Sequence, residues 1–516
     1  MKQKFGMAWL VTKRELVDQM RDWRILVPMI VLTAFFPYLM TVTARFGINY
    51  LNQYGATIIG QQILPFLMLV VGFFPVTVSL VVALEAFVGE KERGTIEPLL
   101  TSPLEDWQLY LGKLMAGIII PLSVSYLGIA LYFFGLWREN ISWPDASYTV
   151  QTLALTAVQT VLMVSAAIVV STQSTTVRSA NLLASFIVIP VALLVQGESG
   201  MMFSKTNDVL WFAVIGVAIL AALTVRLGLV HFKRESLLGR EIDMLNASWA
   251  IKIFWRAFSG SESAPAVVRY LLGRLKMLRG VAATDGEVLS LPDAFALGLQ
   301  DIAIWYRVEI PKALRKISAT ICVTLVIGLA AAVIGYVYVD RSVPASALSA
   351  KQAGKAQGAL NDNLRFFTQC TTAQCLFFNN FRAEMIISAL GIVSFGVLGI
   401  IAYIGNFAFI GGVLSISAKS LGVSPLLILL TGILPHGIFE LPSIILVSSA
   451  VLHAGLTLVT PKDGRSIGEA FLISIADLLK ILIGVCVPLL FVAAMIEGWI
   501  TPKLLGHFFG EALSVK

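Results

Sequence analysis

The sequence predicts an all-α protein that crosses a membrane many times. Hydrophobic residues make up 57% of its 516 residues and charged residues only 13%, whereas about a quarter of the residues in a soluble protein are charged. Several uncharged apolar runs also reach the roughly 20 residues that a helix needs to cross the hydrocarbon layer. Because backbone groups inside that layer must bond to one another, the spanning elements are expected to be helices.

Six spans are predicted in the first part of the chain, after an interfacial amphipathic helix in residues 1–24. Their approximate bounds are 25–43, 64–86, 112–135, 149–171, 180–196 and 209–230. Basic residues concentrate in the connections that follow the second, fourth and sixth spans. The positive-inside rule therefore places the N-terminus and residue 232 onward in the cytoplasm. The same rule accounts for the excess of basic residues, so we predict no nucleic-acid partner.

Residues 233–304 are predicted to form a cytoplasmic linker between two membrane domains, residues 1–232 and 305–516. Within the linker, residues 268–279 have the spacing of a basic amphipathic helix, which would lie on anionic lipid or pack on a protein surface. The second domain is predicted to hold about four to six spans, and an extracytoplasmic loop over residues 340–380 follows the first of them. The uncharged run over residues 385–418 is predicted to end in the cytoplasm at Lys419.

The extracytoplasmic loop contains two cysteines, Cys370 and Cys375. Outside the membrane, and with no histidine or further cysteine near them, they are predicted to form a local disulfide rather than a metal site. Free thiols are the alternative.

The segment Gly89–Pro103, with the sequence GEKERGTIEPLLTSP, is a polar island between two apolar runs. Gly94 is expected to end the helix that arrives from the membrane, Thr95 to cap a new short helix, and Pro103 to end that one. The apolar face of the short helix consists of three residues at helical spacing: Ile96, Leu99 and Leu100. A helix of this kind lies at a membrane surface or in the groove of a partner.

The motifs of nucleotide-binding proteins and of metalloproteases are missing from the sequence. It has no G-x-x-x-x-G-K-[ST] phosphate loop, no G-x-G-x-x-G after a strand and no H-E-x-x-H. No serine or cysteine nucleophile lies in a recognisable catalytic motif either. We therefore predict that the chain is not an enzyme and binds no cofactor and no metal, so that ATP-driven work requires a partner.

The polar island resembles the cytoplasmic loop between the second and third spans of type 2 ABC exporter permeases, which follows the pattern E-K-E-x-G-T-[IL]-E-x-L-L-x-[ST]-P. The matching residues are Glu90, Lys91, Glu92, Gly94, Thr95, Ile96, Glu97, Leu99, Leu100, Ser102 and Pro103, with Arg93 at the variable position. The resemblance covers roughly residues 1–232. It implies a permease in a bacterial inner membrane, whose loop docks on a separate ATPase subunit that is present in two copies and carries ATP and Mg²⁺.

The second half, roughly residues 305–500, resembles the stage II sporulation protein M family. The resemblance rests on the sequence P-H-G-I-F-E-L-P at Pro435–Pro442 and on the glycine-rich helix before it. It leaves open whether this half transports, scaffolds or regulates. Since an exporter needs two permease halves, either two copies of this chain pair or the second half replaces the missing one, and we favour a homodimer.

The motif at Pro435–Pro442 interrupts an apolar stretch over residues 421–460, and a re-entrant loop or broken helix is predicted there, with a tight hairpin as the alternative. Polar or helix-breaking residues of this stretch are Pro435, His436, Gly437, Glu440 and His453. Ionisable residues at membrane depth are candidates for function. Three hypotheses stand: His436 and Glu440 satisfy each other, they relay protons or ions, or they bind a metal together with His453.

A last span over about residues 470–498 carries Asp477 and Lys480, which are predicted to neutralise each other. The main functional hypothesis is a permease of an ATP-driven exporter that receives its energy through Gly89–Pro103. The alternatives are a scaffold that organises envelope proteins through the second half and, third, an intramembrane metal-dependent hydrolase.

Overall fold

The computed structural model contains only helices among the residues that it describes. These are residues 2–53, 57–94, 102–174, 180, 191–192, 194–199, 201–202, 209–232, 247–260, 301–342, 372–459 and 467–514. Nine helices within this part of the chain are long and apolar enough to cross a membrane. The predicted all-α polytopic class is thereby confirmed, and the chain is a multi-pass membrane protein. Its residues fall into two compact units, Met1–Leu245 and Asn246–Lys516.

The described residues of the first unit form six long helices. They are α1 (Lys2–Arg21), α2 (Trp23–Gln53), α3 (Thr57–Glu92), α4 (Asp106–Arg138), α5 (Ala146–Gln173) and α6 (Val209–His231). Helices α2, α3 and α4 share a core in which buried Tyr132 donates a hydrogen bond of 3.2 Å to the carbonyl of Leu64. Helix α1 lies close against α4, because a Cβ on Gly112 would collide with Val11. Most of the predicted fifth span, residues 180–196, lies outside the described residues.

The second unit contains ten α-helices and three π-helical turns in the described residues. The helices are α7 (Ala247–Ser259), α8 (Ile310–Lys316), α9 (Ser318–Ser342), α10 (Ala373–Val393), α11 (Val397–Leu421), α12 (Pro425–Ile428), α13 (Leu434–Val459), α14 (Ile467–Ile481), α15 (Val487–Trp499) and α16 (Thr501–Ser514). The π turns are Trp305–Glu309, Leu429–Ile433 and Leu482–Cys486. The predicted linker helix at residues 268–279 lies outside the described residues.

Each π turn ends two residues before a proline: Pro311, Pro435 and Pro488. A proline ring collides with the carbonyl four residues earlier and cannot donate a hydrogen bond to it. The wider π turn places that carbonyl in a different register, so the helix continues through the proline. Helices therefore continue through prolines that, from the sequence alone, are expected to end them.

The π turn before Pro435 shows that the prediction at residues 435–442 was wrong. Instead of a re-entrant loop, a broken helix or a hairpin, the chain is helical without a gap from Pro425 to Val459. The irregularity is the π turn Leu429–Ile433, which lies just before Pro435. Pro442 sits inside α13 as a second tolerated proline.

A tight turn at Ser394–Gly396 corrects the predicted side of Lys419. The turn divides the uncharged run over residues 385–418 into α10 and α11, with positive φ angles of 52° at Phe395 and 90° at Gly396. Helix α11 then runs parallel to α9, so that Lys419 Nζ lies 3.0 Å from Asp340 Oδ1. Lys419 therefore lies at the same end of the helices as Asp340, where the predicted extracytoplasmic loop begins. The sequence did not predict this, because no charged residue lies at the turn.

Candidate functional site

The polar island begins in the last turns of α3 and ends before α4. Glu90, Lys91 and Glu92 are the last helical residues there, and Gly94 follows with a φ of 69°. Glycine adopts this left-handed conformation without strain. Five predicted coupling residues lie outside the described part of the chain: Thr95, Ile96, Glu97, Leu99 and Leu100. Arg93 and Pro103, on either side of them, are exposed.

A buried lysine of α4 binds the start of the island to two other helices. Lys113 Nζ lies 3.0 Å from Glu15 Oε1 of α1 and 3.0 Å from Glu90 Oε1 of α3. The ammonium group also donates a 2.7 Å hydrogen bond to the carbonyl of Ala86 and lies 5.0 Å from the centre of the Phe87 ring. Its three protons thus have three oxygen acceptors, which is the condition for keeping a charge out of water.

Burial changes the pKa of the Glu90 carboxyl group. The loss of water around its carboxylate raises its pKa above the ordinary value, although the charge of Lys113 and its hydrogen bond act in the opposite direction. The side chain of Lys113 is only 1% exposed. The cluster therefore connects α1, α3 and α4 through a buried charge and is not a solvated ion pair at the surface.

Lys91 forms a second connection, to the C-terminal end of α5. Its Nζ donates hydrogen bonds to the carbonyls of Thr172 (3.1 Å) and Ser174 (3.0 Å). The last carbonyls of a helix lack partners inside the helix and carry a partial negative charge, which a lysine satisfies. Burial lowers the pKa of Lys91. The first residues of the polar island thus contact α1, α4 and α5 together.

The sequence did not identify Glu15 and Lys113 as members of this site. A lysine inside an apolar run, two turns from its start, is the signal that points to a buried charge, and Glu15 lies on a helix that was expected to be interfacial. Their meeting depends on how α1 crosses α4, where the hydroxyl of Thr12 donates a 3.1 Å hydrogen bond to the carbonyl of Gly112. Such a crossing is a tertiary contact that residue spacing does not predict.

In the second unit, the motif at 435–442 brings three ionisable side chains together. The ligand atoms of His436, Glu440 and Glu497 all lie within 4.8 Å of one another, and the three side chains are half-buried. His436 Nδ1 is 3.3 Å from the hydroxyl of Thr501. Glu497 of α15 was not predicted. His453 is not in this group, since it lies roughly 25 Å further along α13 at 1.5 Å per residue.

Next to this group lies a buried carboxylate of α10. Glu384 is 1% exposed and accepts a 2.5 Å hydrogen bond from the hydroxyl of Ser443 through Oε1. Its Oε2 is buried and has no hydrogen-bond partner in the described part of the chain. Glu384 and Glu440 repel each other electrostatically. Three glutamates of this unit therefore lie close together, within helices that are long and apolar enough to cross a membrane.

Asp477 and Lys480 belong to a larger network than the predicted pair. Lys480 Nζ lies 3.0 Å from Asp477 Oδ1 and 2.9 Å from Glu309 Oε2. Lys316 contacts Asp477 at 2.5 Å, and Lys312 contacts Glu309 at 3.3 Å. Glu309 ends a π turn and Lys480 precedes another, so the two irregular turns meet at this network.

The loop cysteines are described only in part. Cys375 is disulfide-bonded, whereas Cys322 and Cys486 are free. Cys370 lies outside the described residues, so its pairing with Cys375 stays a prediction.

Two family models match this chain, one in its first part and one in its second part. Residues 9–210 match the model of the ABC-2 family transporter protein, and residues 323–502 match that of Stage II sporulation protein M. The chain is 31% identical over 136 residues to the probable ABC transporter permease protein NosY of Pseudomonas aeruginosa, a match that covers 26% of this chain and 47% of the relative. It is 30% identical over 156 residues to the protein of the same name from Stutzerimonas stutzeri, covering 29% and 54%.

The chain thus spans about half the length of the curated relatives it matches. The two matched regions do not overlap, and each contains one of the motifs that the sequence singled out. Residues 9–210 are therefore similar to the ABC-2 family transporter protein, and residues 323–502 are similar to Stage II sporulation protein M.

Proposed function

We propose that this chain is the membrane permease subunit of an ATP-driven exporter and that Gly89–Pro103 couples it to a separate ATPase subunit. The observation that carries the proposal is the position of Lys113, which joins Glu90 of this segment to Glu15 of α1. The similarity to permeases named NosY supports the same class of protein. We further propose a bacterial inner membrane as the location, with the N-terminus in the cytoplasm, because basic residues flank this end of the helices.

The contacts of the segment explain how a partner would act on the membrane helices. Glu90 is held by Lys113 of α4, and Lys91 is held by the end of α5. A push on the segment therefore moves α1, α3, α4 and α5 together and does not merely bend a loop. Packed interfaces of this kind shift between discrete arrangements, which suits a switch driven by ATP binding.

The ATPase is proposed as a separate chain because this sequence carries no phosphate loop. ATP and Mg²⁺ would bind to that partner. Two copies of the partner and a homodimer of this chain complete the proposed assembly, since an exporter needs two permease halves. Glu92 and Arg93, at the start of the segment, are exposed and carry opposite charges.

Site-specific photocrosslinking in membranes tests this proposal. A photoreactive amino acid at Glu97 is expected to capture a protein whose sequence, identified by mass spectrometry, contains G-x-x-x-x-G-K-[ST]. Trp143, in the connection between α4 and α5 at the opposite end of α4, provides the control, since its side chain is exposed. The same product from Trp143, or a product from Glu97 without a phosphate loop, would overturn the coupling role.

A further inference from the structure

We propose that His436, Glu440 and Glu497 bind one divalent transition-metal ion of the zinc type. This site does not depend on the proposed transport function. It differs from the metal site considered from the sequence, because Glu497 of α15 takes the place of His453 as the third ligand.

The geometry of the three side chains fits such an ion. His436 and Glu440 are four residues apart on α13, so that both project from one face of the helix. Glu497 reaches the same point from α15, and all three ligand atoms lie within 4.8 Å of one another. In a tetrahedral zinc site with bonds of about 2.0 Å, the ligand atoms are about 3.3 Å apart. Small rotations of the carboxylates close this difference.

The charge of the site also calls for a cation. Two carboxylates at this separation in a low-dielectric region cannot both be ionised without a compensating charge. Between described residues, no ion pair links Glu440 or Glu497 to a lysine or an arginine. A divalent ion with two carboxylates and a neutral imidazole has no net charge, which is the arrangement that hydrocarbon surroundings favour.

The surroundings of the ligands supply a second, independent indication. The hydroxyl of Thr501, which is 5% exposed, lies 3.3 Å from His436 Nδ1. A bond at Nδ1 fixes the ring and leaves Nε2 for a metal, as outer-shell partners do in known metal sites. Glu384, whose buried Oε2 has no hydrogen-bond partner among the described residues, stands beside Glu440.

The ligand types select the class of ion. An imidazole favours zinc and similar transition metals over magnesium and calcium, which prefer oxygen ligands alone. Three protein ligands leave one position of a tetrahedral ion open, as in catalytic zinc sites, where water or a substrate group binds. The site would therefore present a metal-bound water at membrane depth.

Metal titration of the purified full chain tests the proposal. Protein stripped with a chelator is expected to bind one Co²⁺ per chain, seen by visible absorption, and to release it to one equivalent of Zn²⁺. We expect His436→Gln, Glu440→Gln and Glu497→Gln each to weaken this binding at least tenfold. His453→Gln, a histidine of the same helix outside the group, is the matched control and should bind like the wild type. Unchanged binding in Glu440→Gln and Glu497→Gln would overturn the site.

X-ray absorption of the zinc-loaded wild type keeps the proposal falsifiable if a variant fails to fold. The expected first shell contains one imidazole nitrogen and oxygens, without sulfur. A shell containing sulfur, or no stoichiometric uptake of zinc by the wild type, would refute the assignment.

Discussion

Each of the two units contains a lysine that is almost fully buried and lies between two carboxylates. Lys113 lies between Glu15 and Glu90, and Lys480 lies between Glu309 and Asp477. In both units, one of the carboxylates belongs to a helical segment that leads into the first span. In each unit, a buried lysine thus connects the segment before the first span to the spans. The two units nevertheless match different families.

The two clusters differ in their charge balance. Lys113 contacts both carboxylates of the first cluster, and these three groups together carry one excess negative charge. Around Lys480, Lys312 and Lys316 also contact the carboxylates, so that the five groups carry one excess positive charge. Removing the central lysine would therefore leave the first cluster strongly negative and the second cluster neutral.

The difference in charge balance indicates a different role for each cluster. In the first cluster Lys113 contacts both carboxylates, and its Glu90 belongs to the segment proposed to meet the ATPase. A displacement of that segment would therefore act directly on Lys113. The second cluster has redundant ion pairs, which are suited to holding two π turns in a fixed arrangement.

The largest expected effect comes from removing each central lysine in turn. Lys113→Met should lower the free energy of unfolding by about 3 to 5 kcal/mol, because it removes the buried cation that contacts both half-buried carboxylates. Lys480→Met should cost less, about 1 to 3 kcal/mol, because Lys312 and Lys316 still neutralise Glu309 and Asp477. Unfolding of the full chain in detergent by a denaturing surfactant measures both values.

Control variants separate charge from packing in this comparison. The double variant Lys113→Met with Glu90→Gln should recover part of the loss, because it removes one of the two unpaired charges. The corresponding double variant Lys480→Met with Glu309→Gln should recover little. An equal loss for the two single variants would show that charge balance does not distinguish the clusters.

The fold class followed from the sequence because it depends on properties that each stretch carries by itself. Length and apolar composition define a span without any knowledge of its neighbours, and α9 and α14 carry the apolar runs of predicted spans. The turn at Ser394–Gly396 was not predicted, because its signal is a backbone conformation at two residues without a polar side chain. The continuous helix over residues 425–459 was not predicted, because proline reads as a breaker unless a π turn precedes it.

Some contacts of the site residues could also be predicted from the sequence, and others could not. His436 and Glu440 share a helix face, so their spacing alone predicted their proximity. Glu497 and Lys113 join their groups through contacts between helices that are distant in the sequence. Spacing predicts partners within one helix, whereas the crossing of two helices is set by close packing, as where Gly335 of α9 meets the backbone of Ala408.

A smaller effect of opposite sign in the two clusters is expected from pH. Burial raises the pKa of Glu309, but the hydrogen bonds and charges of Lys480 and Lys312 outweigh it, so the pKa lies below the ordinary value of 4.5. Its contribution is thus present above pH 4.5 and is lost as the pH falls through the lowered pKa. For Glu90, burial prevails and the pKa is raised, so acidification from neutral pH favours the native state before the unfolded state takes up the proton.

Melting temperatures of the full chain from neutral pH to well below pH 4.5 measure this difference. Relative to Glu309→Gln, the wild type should lose stability as the pH falls, by about 1.5 to 3 kcal/mol over the whole titration. Relative to Glu90→Gln, the wild type should gain stability over the same change. Curves of the same sign for the two pairs would contradict the charge balance assigned to the clusters.

The smallest expected effect concerns Lys91, the second connection of the polar island. Lys91→Met removes the hydrogen bonds to the carbonyls of Thr172 and Ser174 and should cost about 1 kcal/mol. Hydrogen exchange measured by mass spectrometry should quicken in the last turn of α5, while exchange in α4 stays unchanged. Lys91→Arg keeps the charge and the reach of the side chain and should protect that turn as the wild type does. Equal exchange in all three proteins would mean that the island is joined to the spans through Lys113 alone, which would leave α5 outside the movement proposed for coupling.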